Sequence, residues 1–125
     1  MSMVLREELS EGIVAITLNR PESLNALSPA LFSELNQIVT ELSKQTDSVG
    51  CVILRGAGRC FSAGNDLKAV RSGVKAKEKF FQAKTIDLIE KLPQPTIASV
   101  HGHCLTGALE LALACDLMIT SESAN

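Results

Sequence analysis

The spacing of apolar residues divides the chain into alternating strands and helices. The segments VLREEL and IVAITLN flank the turn residues Ser10, Glu11 and Gly12, and this order predicts a β-hairpin. Later in the chain, CVIL at residues 51–54 and TIASV at residues 96–100 are short apolar runs typical of strands buried on both faces. A further run, DLMIT, predicts one more strand.

Helical periodicity fills the intervals between these strands. Ser28 and Pro29 predict the start of a helix, because serine caps a first turn and proline fits within it. One face of that helix carries Leu31, Phe32, Leu35, Ile38, Val39 and Leu42. A more polar helical stretch follows and ends before Pro93 and Pro95. Its inner face carries Phe81, Leu88, Ile89 and Leu92. Residues 107–115 predict a short third helix.

This alternation predicts an α/β fold in which a parallel sheet is connected by crossover helices. With 125 residues, of which 46% are hydrophobic, the chain is expected to form a single domain, residues 1–125. Ligands of such sheets bind at the carboxyl ends of the strands. The loops that follow CVIL and TIASV are therefore the candidate functional segments.

Composition and charge exclude several classes of protein. A formal net charge of −2, with acidic and basic residues interspersed, offers no basic surface for nucleic acid or an anionic membrane. The four cysteines are too widely spaced for a disulfide framework or a metal site, and we expect reduced thiols, some of them packed as small apolar residues. The N-terminal segment lacks the apolar run of a signal peptide, and no segment has the length of a membrane span. A cytoplasmic protein is predicted.

The candidate loops place a glycine where the chain turns or enters a helix. Gly107 comes at the start of the short third helix, where main-chain N–H groups lack partners and the helix dipole favours negative charge. The turn SAGND, at residues 62–66, could present a second N–H group from the opposite side. Two donors directed at one oxygen would form an oxyanion hole, which stabilises charge on a carbonyl oxygen.

Glu110 is an acidic residue within a largely apolar segment. It lies one helical turn after Gly107, between Leu109 and Leu111. We expect apolar surroundings to raise the pKa of this carboxyl group towards neutrality, as a general acid or base requires. Two structural interpretations remain open, namely an ion pair with an Arg or Lys and a position on an exposed helix edge.

Neighbouring polar residues also have structural interpretations. Asn65 suits a turn with left-handed backbone geometry, and Asp66 is a favourable helix cap. Lys68 is typical of a solvated surface charge. His101 and His103 invite a metal interpretation, but the sequence offers no third ligand at a suitable spacing.

Three separated motifs resemble the enoyl-CoA hydratase/isomerase (crotonase) superfamily. They are LNRPESLNAL at residues 18–27, FSAGNDLK at residues 61–68 and PTIASVHGHCLTGALELALACDLMITSESA at residues 95–124, in the family's order. The resemblance implies the ClpP/crotonase fold, a spiral of ββα units with a parallel sheet and crossover helices. It also implies an acyl-CoA thioester substrate, with coenzyme A carried as part of the substrate rather than as a separate cofactor.

The same resemblance implies roles for individual residues. The N–H groups of Asn65 and Gly107 would bind the thioester oxygen, and Glu110 matches the first of the family's catalytic glutamates. Contacts with the substrate and its CoA moiety are implied for Leu24, Ala26, Ala63, Asn65, Asp66, Leu67, Lys68 and Gly107. The implied reaction is the addition of water across the 2,3-double bond of a 2-enoyl-CoA.

The chain also departs from the family pattern. Thr106 and Ala108 flank Gly107 where the family has a run of glycines. Family members are about twice as long, so the fold is expected to be truncated before its C-terminal helical region. The second catalytic glutamate, and the helices that build the family's trimers or hexamers, are expected beyond Asn125.

These departures leave alternatives to the hydratase. A 3,2-enoyl-CoA isomerase or another crotonase activity, such as decarboxylation or thioester hydrolysis, is possible within the family. Many isomerases of the family have a non-acidic residue at the position of Glu110, so the acid favours a hydratase. A catalytically inactive fragment that binds acyl-CoA or associates with other subunits is an alternative of a different class.

Overall fold

One five-stranded sheet organises the residues that the computed structural model describes, which are 2–71, 73 and 76–125. The strands are β1 (Val4–Ser10), β2 (Ile13–Leu18), β3 (Cys51–Gly56), β4 (Thr96–Val100) and β5 (Leu117–Thr120). The α-helices are α1 (Pro29–Leu42), α2 (Leu67–Arg71), α3 (Ala76–Glu90) and α4 (Gly107–Leu113), and a short 3-10 helix covers Pro21–Ser23. The sheet order is β1-β2-β3-β4-β5; β1 and β2 are antiparallel, and the other neighbours are parallel. The predicted α/β fold with an N-terminal hairpin is confirmed.

Local sequence signals account for the first elements. Gly12 closes the hairpin with a φ of +78°, a conformation that glycine adopts without a steric penalty. The Ser28 hydroxyl caps α1 by accepting a hydrogen bond from the Leu31 N–H at 3.2 Å, and Pro29 occupies the first turn. The predicted inner face of α1 is confirmed, since its apolar residues join the core formed with the sheet.

The central strands bury one face more completely than the other. In β3, Val52 and Leu54 are buried, whereas Ile53 is half-buried. In β4, Ala98 is buried and Ser99 is exposed. The expectation that both strands are covered on both faces is therefore wrong for the described residues. An unbroken apolar run does not distinguish a strand that is buried on both faces from one that is buried mainly on the face towards the core.

The later elements complete the sheet but leave apolar surface exposed. The polar stretch forms α2 and α3, and α3 contacts both α1 and α4. All residues of β5 are exposed, including Leu117 and Ile119, both at 63%. No helix among the described residues has the length and apolar character needed to cross a membrane.

The cysteines are free thiols with limited solvent access. Cys60 is buried, and the other three are half-buried. Burial raises the pKa of the Cys115 thiol to about 11. These environments agree with the expectation that several cysteines pack as small apolar residues.

Candidate active site

Three loops follow the carboxyl ends of neighbouring parallel strands. They comprise residues 19–28 after β2, residues 57–66 after β3 and residues 101–106 after β4. Because β2, β3 and β4 are adjacent in the sheet, the loops lie side by side. The fold thus brings together the loop segments that the sequence identified as candidates.

The first and second loops pair through their main chains. The Ala63 N–H donates to the Leu24 oxygen at 2.9 Å, and the Leu27 N–H donates to the Gly64 oxygen at 2.8 Å. Three residues of these loops, Leu24, Ala26 and Ala63, are half-buried. Of the residues for which CoA contacts were expected, Leu24, Ala26 and Ala63 therefore lie in two paired loops.

The second and third loops pair in the same way. The Ser62 N–H donates to the His103 oxygen at 2.9 Å, and the Leu105 N–H donates to the Ser62 oxygen at 3.3 Å. The His103 ring also lies against protein, with Nδ1 2.7 Å from Asn125 Oδ1. The His101 Nε2 donates to the Gly58 oxygen at 2.7 Å. Both imidazoles thus contribute to loop structure.

Asn25 holds the first loop against the second and was not identified from the sequence. Its side chain is fully buried, and its φ of 54° lies in the left-handed region that asparagine tolerates. The Asn25 Oδ1 accepts from the Arg20 N–H at 2.7 Å. Its Nδ2 donates to the oxygens of Ala57, Cys60 and Phe61 at 2.8, 3.0 and 3.1 Å. The signal available in the sequence was a single asparagine within the largely apolar end of the first motif.

Asn65 and Gly107 lie in contact across the second and third loops. A Cβ placed on Gly107 would lie 2.7 Å from Asn65 Oδ1 and 3.3 Å from Leu27 Cδ1. Among the described residues, neither the Asn65 N–H nor the Gly107 N–H has a hydrogen-bond acceptor. Two main-chain donors without acceptors among the described residues therefore occur on neighbouring residues, and an oxyanion hole would need both of them directed at one oxygen.

Thr106, directly before Gly107, has a strained backbone. Its φ of 47° and ψ of −114° fall in a region that β-branched residues rarely adopt. Gly64, in the second loop, packs against this segment and has a φ of +96°. A Cβ added to Gly64 would lie 2.6 Å from the Leu105 oxygen. The strain is stored at the entrance to α4, beside the unpaired donor.

Replacing Thr106 with glycine should raise the free energy of unfolding by about 1 kcal/mol, because relief of strain exceeds the added entropy of the unfolded chain. Chemical denaturation measures this change. The matched control is Thr46→Gly. Thr46 lies in an exposed turn and its own φ is not positive, so the same substitution should be destabilising there. A loss of stability in Thr106→Gly as large as that in the control would contradict the strain assignment.

Glu110 is exposed, which corrects the expectation that its neighbours bury it. The core side of α4 contains Ala108, Leu111 and Ala112, whereas Leu109 is 43% exposed on the outer side. The helix is apolar around most of its circumference, so its sequence does not indicate which side faces the core. Among the described residues, only one side of α4 is packed against other elements. Glu110 forms no ion pair with the described residues, and it lies on the exposed side of α4.

The segment after Asn65 has a structural as well as a candidate binding role. The Asp66 Oδ1 accepts from the Lys68 N–H at 2.9 Å and so caps α2, as predicted. The Asp66 Oδ2 lies 3.3 Å from Arg20 Nη1 in a mostly buried ion pair. Leu67, at 69% exposure, and Lys68 are exposed in the first turn of α2. They are accessible to a ligand at this edge.

A cavity of about 780 Å³ adjoins Asn65 between α1 and α3. Its lining includes Leu27, Phe32, Asn65, Phe81 and Gln82. This volume lies within the range of small-molecule sites, and the lining combines apolar side chains with a few polar groups.

Comparison with known proteins decides the family. Residues 8–125 match the family model described as enoyl-CoA hydratase/isomerase. The chain belongs to the enoyl-CoA hydratase/isomerase family. The predicted resemblance and the predicted fold are both confirmed.

Individual relatives agree with this assignment. A Bacillus subtilis protein whose name describes an enoyl-CoA hydratase/isomerase is 43% identical over 92% of this chain and 45% of its own length. The crystal structure of an enoyl-CoA hydratase from Bacillus anthracis is 38% identical, with a TM-score of 0.90, over 98% of this chain and 48% of that one. A monofunctional enoyl-CoA isomerase from M. smegmatis is 34% identical, with a TM-score of 0.83, over 99% of this chain and 52% of that one. The chain spans about half the length of the relatives it matches.

Proposed function

We propose that the complete gene product containing this chain hydrates 2-enoyl-CoA thioesters, with coenzyme A entering as part of the substrate. The observation that carries the proposal is the contact between Asn65 and Gly107, whose N–H groups are both unpaired among the described residues. Membership of the enoyl-CoA hydratase/isomerase family supports the class of substrate.

In this scheme the Asn65 and Gly107 N–H groups donate to the thioester oxygen. Polarisation of that carbonyl withdraws electrons from the conjugated double bond and makes C3 electrophilic. As water adds at C3, the electron pair moves towards the thioester oxygen, where the two donors stabilise the enolate. Interactions that strengthen as charge develops lower the barrier to reaction.

Glu110 provides the proton-transfer group in the proposal. Its position one turn after Gly107 on α4 keeps the carboxylate near the donors, and its exposure leaves it accessible to water. The carboxylate accepts a proton as the oxygen of water bonds to C3. A second acid, which the family resemblance implies outside residues 1–125, delivers a proton to C2 and so completes the addition to give the 3-hydroxyacyl-CoA.

The paired loops provide a surface for the rest of the thioester. Leu24, Ala26 and Ala63 are half-buried at the edge of the site, where they can contact an extended pantetheine arm. Lys68 is exposed next to the α2 cap, in a position to pair with a phosphate group. Leu24, Ala26 and Ala63 lie in loops that are paired through their main chains.

Isomerisation of a 3-enoyl-CoA is the second candidate, and the likeness to the isomerase from M. smegmatis favours it. Both reactions form an enolate on the thioester oxygen and differ in where protons are removed and added. The proposed donor pair therefore serves either reaction, and the acid at position 110 favours hydration.

Incubating the complete gene product with crotonyl-CoA tests the proposal. We expect loss of the absorbance of the conjugated thioester and formation of 3-hydroxybutyryl-CoA. A parallel incubation with 3-hexenoyl-CoA separates the candidates, since an isomerase moves the double bond without adding water. Failure to convert either thioester would refute the acyl-CoA proposal.

A further inference from the structure

Gln82 is a polar residue of α3 that reaches the candidate oxyanion site. Its Nε2 donates to the Asn65 Oδ1 at 3.2 Å. The same Nε2 lies 3.3 Å from the position that a Cβ on Gly107 would occupy. Three residues from three separate segments therefore meet at one point, and Gln82 is half-buried there.

The side chain of Asn65 introduces an acceptor close to the proposed donors. Its Oδ1 lies 2.7 Å from the Cβ position of Gly107, next to a main-chain N–H that has no acceptor among the described residues. Asparagine oxygens readily accept hydrogen bonds from the unpaired N–H groups of a helix's first turn. Such a bond would occupy a donor that the thioester oxygen needs.

We propose that Gln82 is a positioning residue that holds the Asn65 side-chain oxygen away from the Gly107 N–H and so keeps that donor available. This inference rests on the proposed function. The Gln82 amide satisfies the Asn65 oxygen and fixes the orientation of its side chain. Without it, the oxygen turns to the nearest unpaired donor and competes with the substrate.

The role is distinct from that of Asn65 itself. Asn65 contributes a main-chain N–H, which every replacement except proline retains. Its side chain is the element that Gln82 restrains. Removing the Asn65 side chain should therefore make the identity of residue 82 unimportant.

A double-mutant cycle on the complete gene product tests this coupling. With crotonyl-CoA as substrate, Gln82→Leu should lower kcat about tenfold. This is the effect expected of one hydrogen bond in which the Asn65 oxygen replaces the thioester oxygen as acceptor of the Gly107 N–H. In the Asn65→Ala background, the same replacement should change kcat by less than about twofold. The matched control is Gln37→Leu on the exposed side of α1, which should leave kcat and KM unchanged.

The possible outcomes separate this inference from the proposed function. Equal losses of kcat for Gln82→Leu in both backgrounds would mean that Gln82 acts only through packing, and the inference would be overturned. Unchanged kcat in Gln82→Leu would overturn it too, while leaving the hydratase proposal intact. An inactive wild-type protein would overturn the proposed function and this role with it.

Discussion

Replacing Glu110 with glutamine in the complete gene product should reduce crotonyl-CoA hydration at least about a hundredfold. The replacement retains the size and polarity of the side chain but removes the basic carboxylate. Water at C3 then has no group to accept its proton, although the Asn65 and Gly107 donors remain. Steady-state measurement of kcat and KM should place most of the loss in kcat.

Glu41→Gln is the matched control, since Glu41 is exposed in the last turn of α1 and belongs to none of the three loops of the site. It should retain wild-type kinetics. Both variants should keep the wild-type thermal midpoint, because neither side chain is buried. A Glu110→Gln protein with undiminished kcat would leave Glu110 as a surface residue of α4 and remove the proposed base.

Replacing Asn25 with alanine should destabilise the chain by about 3 kcal/mol or more, from loss of a fully buried side chain with several partners. The variant leaves the Arg20 N–H and the oxygens of Ala57, Cys60 and Phe61 short of hydrogen bonds. It also leaves a residue less tolerant of positive φ in the left-handed position. Denaturant unfolding measures the loss.

Two further variants separate hydrogen bonding from packing. Asn25→Asp keeps the shape but replaces the donor with an oxygen facing three carbonyl oxygens, so it should be at least as destabilising as alanine. Asn19→Ala removes one exposed hydrogen bond to the Ser2 oxygen and should cost less than about 1 kcal/mol. Equal, small losses for Asn25→Asp and Asn19→Ala would show that the Asn25 network contributes little.

The elements with strong local signals were predicted correctly. Ser28 and Pro29 determine the start of α1, and Gly12 determines the hairpin turn, because both depend on residues adjacent in sequence. The placement of the SAGND turn beside the loop that precedes Gly107 was expected from the geometry of a parallel sheet.

The burial of a residue by segments distant in sequence could not be predicted from the local pattern of apolar residues. The apolar residues around Glu110 suggested burial, yet Leu109 and Leu113 are exposed on the outer side of α4. Periodicity identifies which residues can be buried, and it does not identify what packs against them. The same limit applied to Ile53 and Ser99 on the second face of the sheet.

Polar contacts between distant segments escaped prediction for a related reason. Asn25 binds oxygens 32 to 36 residues away, and Gln82 binds a residue 17 positions away. Neither residue belongs to a short spacing pattern, so its partner becomes evident only once the loops are assembled. Such residues determine how the site is held, whereas the motifs indicate where it lies.

The infrared carbonyl stretch of a bound thioester tests the central claim most directly. A non-hydratable acyl-CoA, labelled with carbon-13 at the thioester carbonyl, gives a band that can be separated from the protein's own absorption. If the Asn65 and Gly107 N–H groups both donate to that oxygen, the band should move to lower frequency on binding to the complete gene product. A bound ligand whose carbonyl band stays at its position in water would contradict the account.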